Sequence, residues 1–417
     1  MPHRPLRARL AGLAAAAVAA PLLAALPAST ASAATVTVPR AYFGLHQATL
    51  AKGVQPGLPV GSARLWDVGG RWNEVSPARG TWNFTALDTA VNTANRYGAS
   101  PLVVLGATPA WASSKATSQD VYGLGAAAMP RSVTYWREYV TEVAQRYKGR
   151  VRAYQIWNEP NLSTFWTGTV AQMVQLTREA RTIIKRVDPT ATVVSPGFSL
   201  RNPSDQAYFR TFLQAGGARY SDVIGLHPYP APTAGPEGSL ALINTAKAAM
   251  ATSRVSKPIW NTEINYGAQL NNAGAPRTYN DANAASYVAR TLLLNAANGV
   301  SRVYWYAWDT KGYMGIDLSR NGQPTRAAES YRIVEQWMLN NQLQGCTTDR
   351  ARTYTCVLRF RDGSYGKVMW NPSRTIRVRT TASTTGIQFI NGRTLTFKGA
   401  RNQTVIASPV LIRSTRL

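Results

Sequence analysis

The chain has 417 residues, with 46 Lys and Arg against 20 Asp and Glu, and a formal net charge of +26. Three arginines in residues 4–9 precede an apolar run over 10–26, and small residues at 31–33 then offer a cleavage site, which is the pattern of a secretory signal peptide. Pro21 interrupts a run that is already short for a membrane anchor, and no later stretch is apolar for long enough to span a bilayer. We therefore predict a secreted protein, extracellular or associated with the cell wall, with no transmembrane segment.

Without residues 1–33 the chain keeps 384 residues, enough for a barrel of about 250 residues or more and a small appendage. The remaining 43 Lys and Arg against 20 Asp and Glu give a net charge of +23. Residues 341–417 alone hold 13 Lys and Arg against Asp349 and Asp362, a net of +11. Such a surface attracts polyanions, and outside a cell these are acidic polysaccharides, anionic wall polymers, DNA and lipid head groups. The alternative is a set of ordinary solvated arginines.

Short β-type runs alternate with helical patterns from Tyr42 to about Leu339, which is typical of a parallel α/β protein. We predict eight strands, over Tyr42–His46, Ser62–Asp67, Pro101–Gly106, Val151–Trp157, Ala191–Pro196, Asp222–His227, Pro258–Thr262 and Ser301–Ala307. The predicted helices are Phe84–Tyr97, Ser132–Tyr147, Val170–Val187, Asp205–Ala215, Ser239–Arg254, Asp281–Asn298 and Arg326–Asn340. Eight strands with such crossovers favour a (β/α)8 TIM barrel over residues 34–340. A doubly wound open sheet is the alternative, but no glycine-rich phosphate loop follows any strand.

After Asn340 the sequence changes to short alternating runs of Thr, Val, Arg and Ile separated by turn residues. We predict a small antiparallel β domain over residues 341–417, packed against the barrel because no low-complexity linker intervenes. Its predicted strands are Thr353–Phe360, Gly366–Asn371, Thr375–Thr380, Gly386–Ile390, Thr394–Phe397 and Thr404–Ile412. An oxidising exterior favours a disulfide between Cys346 and Cys356, the two cysteines of the chain, over two free thiols.

Two carboxylates end predicted strands. The fourth strand runs into Glu159 and the seventh into Glu263. The active site of a TIM barrel lies at the C-terminal ends of its strands, so acids at these positions are functional candidates. Burying a charged carboxylate costs several kcal/mol unless partners hold it. Either acid alone could belong to a structural ion pair, but the two together indicate catalysis.

The neighbours of these acids carry a family resemblance. Trp157-Asn158-Glu159-Pro160-Asn161, with Thr262-Glu263, resembles the signature of clan A glycoside hydrolases. Residues 63–67, 72, 80–88, 105–112 and 225–229 are similar to family 39 and its relatives, which include β-xylosidases, iduronidases and exopolysaccharide-cleaving hydrolases. The resemblance covers about residues 40–340.

This resemblance implies a retaining, two-step hydrolysis. Glu159 would act as the acid/base and Glu263 as the nucleophile, with their carboxyl groups about 5 to 5.5 Å apart. Asn158 would bond the sugar 2-hydroxyl. Arg64 and Tyr229 would bond Glu263 and keep it ionised and aimed.

Further substrate contacts are expected from histidines and tryptophans. His227 and His46 follow predicted strands and are candidate sugar contacts, although either could be a satisfied core histidine. The apolar face of a pyranose stacks on aromatic rings. The candidate platforms are Trp308, which follows the eighth strand, and Trp66, Trp111 and Trp166, each of which could equally be a core residue.

The sequence thus predicts a secreted glycosidase that hydrolyses O-glycosidic bonds of an oligo- or polysaccharide, with an anionic wall or exopolysaccharide among the candidates. Xylose, uronic acid, arabinose and galactose all fit, as do endo and exo attack. We expect no metal or other cofactor, since no Cys/His cluster has ligand spacing and two carboxylates suffice. A catalytically silent barrel that binds wall polysaccharide is the alternative. The charge alone suggests a third, a nucleic-acid-binding protein.

Overall fold

The structure, a computed structural model, describes residues 35–268, 275–309 and 312–417. The predicted signal peptide over residues 1–33 therefore lies outside the described residues. Among the helices of the described ranges, none is long and apolar enough to cross a membrane.

Eight parallel strands close into a barrel in the order β7-β8-β1-β2-β3-β4-β5-β6, so the predicted TIM barrel is confirmed. Each predicted strand overlaps an observed one. The strands are β1 Phe43–Leu45, β2 Ser62–Leu65, β3 Ser100–Leu105, β4 Ala153–Ile156, β5 Thr192–Ser199, β6 Val223–His227, β7 Ile259–Ile264 and β8 Val300–Trp305.

Eight α-helices surround the barrel in the described residues; seven of them were predicted, and the first, a single turn, was not. They are α1 Trp72–Val75, α2 Thr85–Arg96, α3 Val133–Arg146, α4 Val170–Val187, α5 Pro203–Gln214, α6 Pro236–Thr252, α7 Asp281–Ala297 and α8 Arg326–Met338. The start of α4 shows a local sequence signal that marks a helix boundary. The Thr169 side chain accepts from the Gln172 backbone N–H, and the Gln172 side chain accepts from the Thr169 N–H, a capping box. Between β1 and β2 lies only a 3-10 helix, Ala48–Lys52.

A compact cluster from six different strands packs together in the core, namely Leu102, Ala153, Val194, Val223, Trp260 and Tyr304. All six side chains are at most 5% exposed, which is typical of a filled barrel rather than a pore. The strand ends that carry polar residues therefore have an apolar layer behind them.

The C-terminal residues form antiparallel sheets, as predicted. The strands are β9 Gln342–Thr348, β10 Tyr354–Arg359, β11 Tyr365–Trp370, β12 Ile376–Arg379, β13 Thr384–Phe389, β14 Thr394–Thr396, β15 Asn402–Val405 and β16 Val410–Ser414. A seven-stranded sheet has the order Val36–Thr37, β9, β10, β11, β16, β13 and β14, while β12 pairs separately with β15. We call this whole region, β9 to β16, the C-terminal sheet.

Two strand predictions in this region needed correction. The run Thr404–Ile412 is two strands, β15 and β16, because Pro409 lies between them and proline has no N–H to donate to a ladder. Strand β9 was not predicted at all. It also pairs with Val36–Thr37, so the start of the described chain belongs to this sheet.

Cys346 and Cys356 face each other on β9 and β10 and form a disulfide, as predicted. Polar contacts join this region to the barrel helices. The Trp370 indole N–H donates to Glu237 on α6 (3.1 Å), and the Trp337 indole N–H of α8 donates to Gln388 (2.8 Å). The two parts therefore pack together, as expected from the missing linker.

Candidate active site

Glu159 and Glu263 lie at the same mouth of the barrel. Glu159 follows β4 and Glu263 lies near the end of β7, and each is 8% exposed. The Nδ1 atom of His227 is 3.1 Å from Oε1 of Glu159 and 3.9 Å from Oε2 of Glu263. These two carboxyl oxygens are therefore at most about 7 Å apart, the sum of the two distances, a bound that includes the separation used by retaining glycosidases.

The backbone after β4 has an unusual conformation at Trp157 and Glu159. Trp157 has φ +70° and Glu159 has φ +43°, a left-handed conformation that non-glycine residues rarely adopt. The Glu159 N–H donates to the carbonyl of Gly197 on β5 (3.0 Å), and Asn158 forms a parallel bridge with the same glycine. Backbone strain of this kind persists only where the surrounding structure imposes it, and it clusters at functional sites.

Glu263 is held by two hydrogen-bond donors. Arg64 Nη1 lies 2.7 Å from Oε2, and the Tyr229 hydroxyl donates to Oε1 at 2.7 Å. Burial raises the pKa of Glu263, while the cation of Arg64 and the hydroxyl of Tyr229 act in the opposite direction. A buried carboxylate in direct contact with a guanidinium keeps its charge far more readily than one without such a partner.

Arg64 organises three side chains at once. The guanidinium is 1% exposed, and besides Glu263 it donates from Nε to Gln155 (2.7 Å) and from Nη2 to Asn158 (2.8 Å). Gln155 in turn donates to the Thr262 hydroxyl at 2.9 Å. Because a guanidinium only donates, the amide oxygen of Asn158 must face Arg64, and the Asn158 NH₂ group is left to donate elsewhere.

Among the described residues, no Lys or Arg side chain is in hydrogen-bond contact with Glu159. Burial raises its pKa to about 7, with Arg64 opposing the shift from a distance. Its contact is His227, which is fully buried, and burial lowers the pKa of His227 to about 3, so this ring is neutral. A neutral imidazole whose proton is on Nδ1 can donate to an ionised carboxylate and also to the carbonyl oxygen of a protonated carboxyl group. Glu159 can therefore gain or lose a proton near neutral pH without losing its partner.

Beside Glu263 the mouth opens into a cavity of about 170 Å³. Its lining comes from the ends of β8, β1 and β2 and includes His46, Arg64, Asp67, Tyr306, Asp309 and Tyr313. The Nε2 atom of His46 lies 3.0 Å from the Thr262 carbonyl, and its ring meets Tyr306 edge-on at 4.9 Å. Burial lowers the pKa of His46 well below its usual value, so it is also neutral.

The structure brings seven of the sequence-predicted residues together and gives the others different surroundings. Asn158, Arg64, Tyr229 and His46 surround the two acids. His227 joins them, but it is buried against Glu159 and offers no surface to a sugar. A Cβ atom on Gly197 would lie only 2.2 Å from Nε2 of His227, so the backbone at Gly197 covers that side of the ring.

The four tryptophans have other surroundings. Trp308 is 6% exposed and one side of its indole is covered by Gly57, where a Cβ would come within 2.1 Å of the ring. Trp111 donates to the Ser76 carbonyl and packs edge-on against Trp72, and Trp166 packs edge-on against Trp157. Trp66 donates to the Tyr122 hydroxyl at 3.0 Å and is 3% exposed. Trp66, Trp166 and Trp308 are therefore buried and Trp111 is half-buried, and the stacking role of each ring stays a prediction.

Sequence reasoning missed three residues of the site: Gln155, Asp67 and Tyr306. Gln155 is 0% exposed within a strand of otherwise apolar character, and a polar residue at such a position signals a specific partner. Asp67 and Tyr306 lie within the last two residues of their predicted strands and follow the observed strands β2 and β8 by two residues and by one, a position like that of the two glutamates. Among the described residues, no group of three or more His, Cys, Asp or Glu could hold a metal ion.

Comparison with known families decides what this site belongs to. Residues 64–309, more than half of the chain, match Glycosyl hydrolases family 39. The chain belongs to this family. The matched segment begins at Arg64 and ends at Asp309, so it includes both glutamates and the residues in hydrogen-bond contact with them, while His46 and Tyr313 of the cavity lining lie outside it. The chain is therefore a glycoside hydrolase.

Solved structures share its fold. A family 39 glycoside hydrolase from the gut symbiont Bacteroides cellulosilyticus WH2 has a TM-score of 0.68 at 18% identity, covering 91% of this chain and 81% of that chain. A monomeric β-xylosidase from Caulobacter crescentus CB15 has a TM-score of 0.67 at 14% identity, covering 91% and 97%. A family 30 endoxylanase from Clostridium papyrosolvens C71 reaches 0.59 at 16%, covering 92% and 98%. Among curated protein sequences, none matches this chain significantly.

Proposed function

We propose that this family 39 enzyme uses Glu263 as nucleophile and Glu159 as acid/base. The observation that carries the assignment is the asymmetry of the pair. Glu263 is held by Arg64 and Tyr229, whereas the hydrogen-bond partner of Glu159 among the described residues is a neutral imidazole. Burial raises the pKa of both carboxyl groups, that of Glu159 to about 7, but the cation and the hydroxyl group in contact with Glu263 oppose the shift there, which suits Glu263 to the ionised role and Glu159 to the protonated one.

In the first step Glu263 attacks the anomeric carbon while Glu159 gives its proton to the glycosidic oxygen that leaves. In the second step Glu159, now ionised, takes a proton from water, and that water displaces Glu263 from the anomeric carbon. With its proton on Nδ1, His227 donates to Glu159 in both states, to the carbonyl oxygen of the protonated form and to the carboxylate of the ionised form. Asn158 supplies its free NH₂ group to the sugar 2-hydroxyl, a bond that strengthens as positive charge develops on the ring.

The two roles are separable by chemical rescue. We expect Glu263→Ala to lose turnover and to regain it with azide, which gives a glycosyl azide of inverted anomeric configuration. Glu159→Ala is expected to keep cleaving substrates whose leaving group needs no protonation. Glu335→Gln is the matched control, because Glu335 is a buried carboxyl with a pKa of about 7 on α8, away from the mouth. Rescue of neither alanine variant, or an inverted product from the native enzyme, would contradict the assignment.

The proposed substrate is an extracellular oligo- or polysaccharide. The arginine-rich apolar leader and the Cys346–Cys356 disulfide support secretion into an oxidising medium. A secreting host should release a protein that begins at Ala34, as read by N-terminal sequencing, and intact leader on active protein would contradict secretion. Activity on a polysaccharide panel with sizing of the products then identifies the substrate and separates endo from exo attack.

The C-terminal sheet is proposed to hold an anionic polymer while the barrel cuts. Residues 363–417 contain nine Lys and Arg and no Asp or Glu. On β12, Arg377 and Arg379 are exposed and alternate with the half-buried Ile376 and Val378, so the two cations share one face. Binding to an acidic polysaccharide should weaken as salt rises from low to above physiological ionic strength, because exposed charges are screened over about 8 to 10 Å. Salt-independent binding would contradict this role.

A further inference from the structure

The cavity beside Glu263 is placed to receive the glycone, the sugar whose anomeric carbon is attacked. Its lining residues follow strands β8, β1 and β2. In the barrel, β8 is next to β7, the strand that carries Glu263, and β1 and β2 come after β8. Glu159 follows β4, which lies opposite β8 in the closed barrel. The acid must face the leaving group and the nucleophile must face the glycone. The leaving group therefore points toward β4, and the glycone occupies the cavity.

The described lining of this cavity carries more negative than positive charge. Arg64 is its cation, and that guanidinium is already bonded to Glu263, Asn158 and Gln155. Asp67 and Asp309 both line the cavity, and His46 is neutral. Arg71, a basic side chain that contacts the lining residue Asp67, bonds to Asp67 and Glu74. No described lining residue therefore offers an uncommitted cation to a carboxylate.

Asp67 is the carboxylate whose position is best defined. One oxygen is 3.3 Å from Arg71 Nη1, and the side chain also hydrogen-bonds with Tyr306, another lining residue. Its side chain is 33% exposed, so it keeps accepting capacity toward the cavity. An ionised carboxylate only accepts hydrogen bonds. It therefore matches hydroxyl groups and opposes another carboxylate, whose charge is poorly screened inside a protein cavity.

From this arrangement we infer that the glycone is a neutral sugar, that a uronate is excluded from this subsite, and that Asp67 is a specificity-determining residue that binds a glycone hydroxyl. The inference rests on the proposed roles of Glu159 and Glu263. It separates two interactions that the sequence suggested together. The basic C-terminal sheet suits an anionic polymer, whereas the bond that is cut has a neutral sugar on its glycone side.

The test uses aryl glycosides in pairs that differ only at C6, such as a β-glucoside with a β-glucuronide and a β-galactoside with a β-galacturonide. We expect the native enzyme to hydrolyse the neutral member of its preferred pair with a kcat/KM at least 100-fold above that of the uronate. Asp67→Asn should lower kcat/KM on the neutral member about tenfold or more. It should also narrow the ratio of kcat/KM between the neutral and the uronate substrate about tenfold. Asp362→Asn is the matched control, since it removes one carboxylate from the C-terminal sheet.

Lys311 adjoins Asp309 in the sequence and lies outside the described residues, so Lys311→Ala is included. It should leave the ratio between neutral and uronate substrates unchanged. Hydrolysis of a uronate at a comparable or greater rate would overturn the inference, as would a ratio that depends on Lys311 or ignores Asp67.

Failure of the proposed function would look different. It would appear as no turnover of any glycoside or polysaccharide. Binding of the same pairs to Glu159→Gln, measured by titration calorimetry, still tests the cavity in that case. The uronate should bind at least tenfold more weakly than its neutral partner, and equal or tighter uronate binding would overturn the inference.

Discussion

The barrel mouth and the C-terminal sheet use charge in opposite ways. At the mouth, Arg64 is 1% exposed and each part of its guanidinium has a partner within 2.8 Å. On the sheet, Arg377 and Arg379 are exposed and form no ion pair with any described residue. A buried charge acts through contact geometry in a poorly hydrated site, whereas an exposed one acts through a field that salt screens. Single substitutions should therefore have large effects at the mouth and small, additive ones on the sheet.

The largest effect is expected from Arg64→Met. This change leaves Glu263 buried without its cation and also releases Asn158 and Gln155. Removing one member of a buried ion pair typically costs about 3 to 5 kcal/mol of unfolding free energy. We expect that loss together with a fall in kcat of roughly 1,000-fold, on the scale of removing one strong transition-state contact. Denaturant unfolding and steady-state kinetics measure the two separately, and a variant that stays fully active would refute the contact-geometry view of the mouth.

The pH profile is the second test of the mouth. Glu159 has its pKa raised to about 7, so it is mostly protonated below pH 7 and loses its proton above it. For a substrate with a poor leaving group, kcat/KM should therefore fall about tenfold per pH unit above pH 7. For an activated aryl glycoside this alkaline fall should be absent. Glu159→Gln should remove the alkaline limb, and its persistence in that variant would assign the limb to another group.

The disulfide gives a stability effect that should stay within the sheet. Cys346 and Cys356 close a short loop, with a sequence separation of 10, for which chain entropy predicts about 2 to 3 kcal/mol of stabilisation. We expect the double Cys→Ser variant to lose about that much and to keep its kcat at 25 °C. A thermal unfolding curve with parallel activity assays decides this. Loss of activity in a variant that is still folded would show that the two regions are coupled.

The smallest effect is expected from Arg377→Glu with Arg379→Glu. Reversing two exposed charges should weaken binding to an acidic polysaccharide several-fold at low salt and hardly at all at high salt. Turnover of a short soluble substrate should not change. Co-sedimentation with the polymer at two salt concentrations provides the measurement, with Arg350→Glu and Arg352→Glu, at the turn between β9 and β10, as the matched control. Unchanged binding would show that these arginines are only a solvated surface.

The barrel and the positions of both glutamates could be predicted from the sequence because each depends on local signals. The residues that signal a strand end, a helix cap or a turn lie within a few positions of that feature in the sequence. The partners of Arg64 could not be predicted, because Gln155, Asn158 and Glu263 meet it only when the barrel closes. Trp308 illustrates the same limit. Its position after β8 could be inferred from the sequence, but the Gly57 backbone that covers its ring comes from a segment distant in the sequence.

Strand β9 escaped prediction for a related reason. Its sequence, Gln342–Thr348, has weak alternation, and it is a strand because it lies between β10 and Val36–Thr37. Pairing supplies what local propensity does not.

That pairing has a consequence for how the protein is made. Val36 opposes Leu343, so a strand that begins almost at the predicted cleavage point waits for a partner about 300 residues later in the chain. In the export proposed above, Val36–Thr37 would cross the membrane early and β9 would cross late. The two strands would then pair only after most of the chain has been translocated. Under that proposal this sheet would fold on the trans side of the membrane, where the disulfide between β9 and β10 could also form.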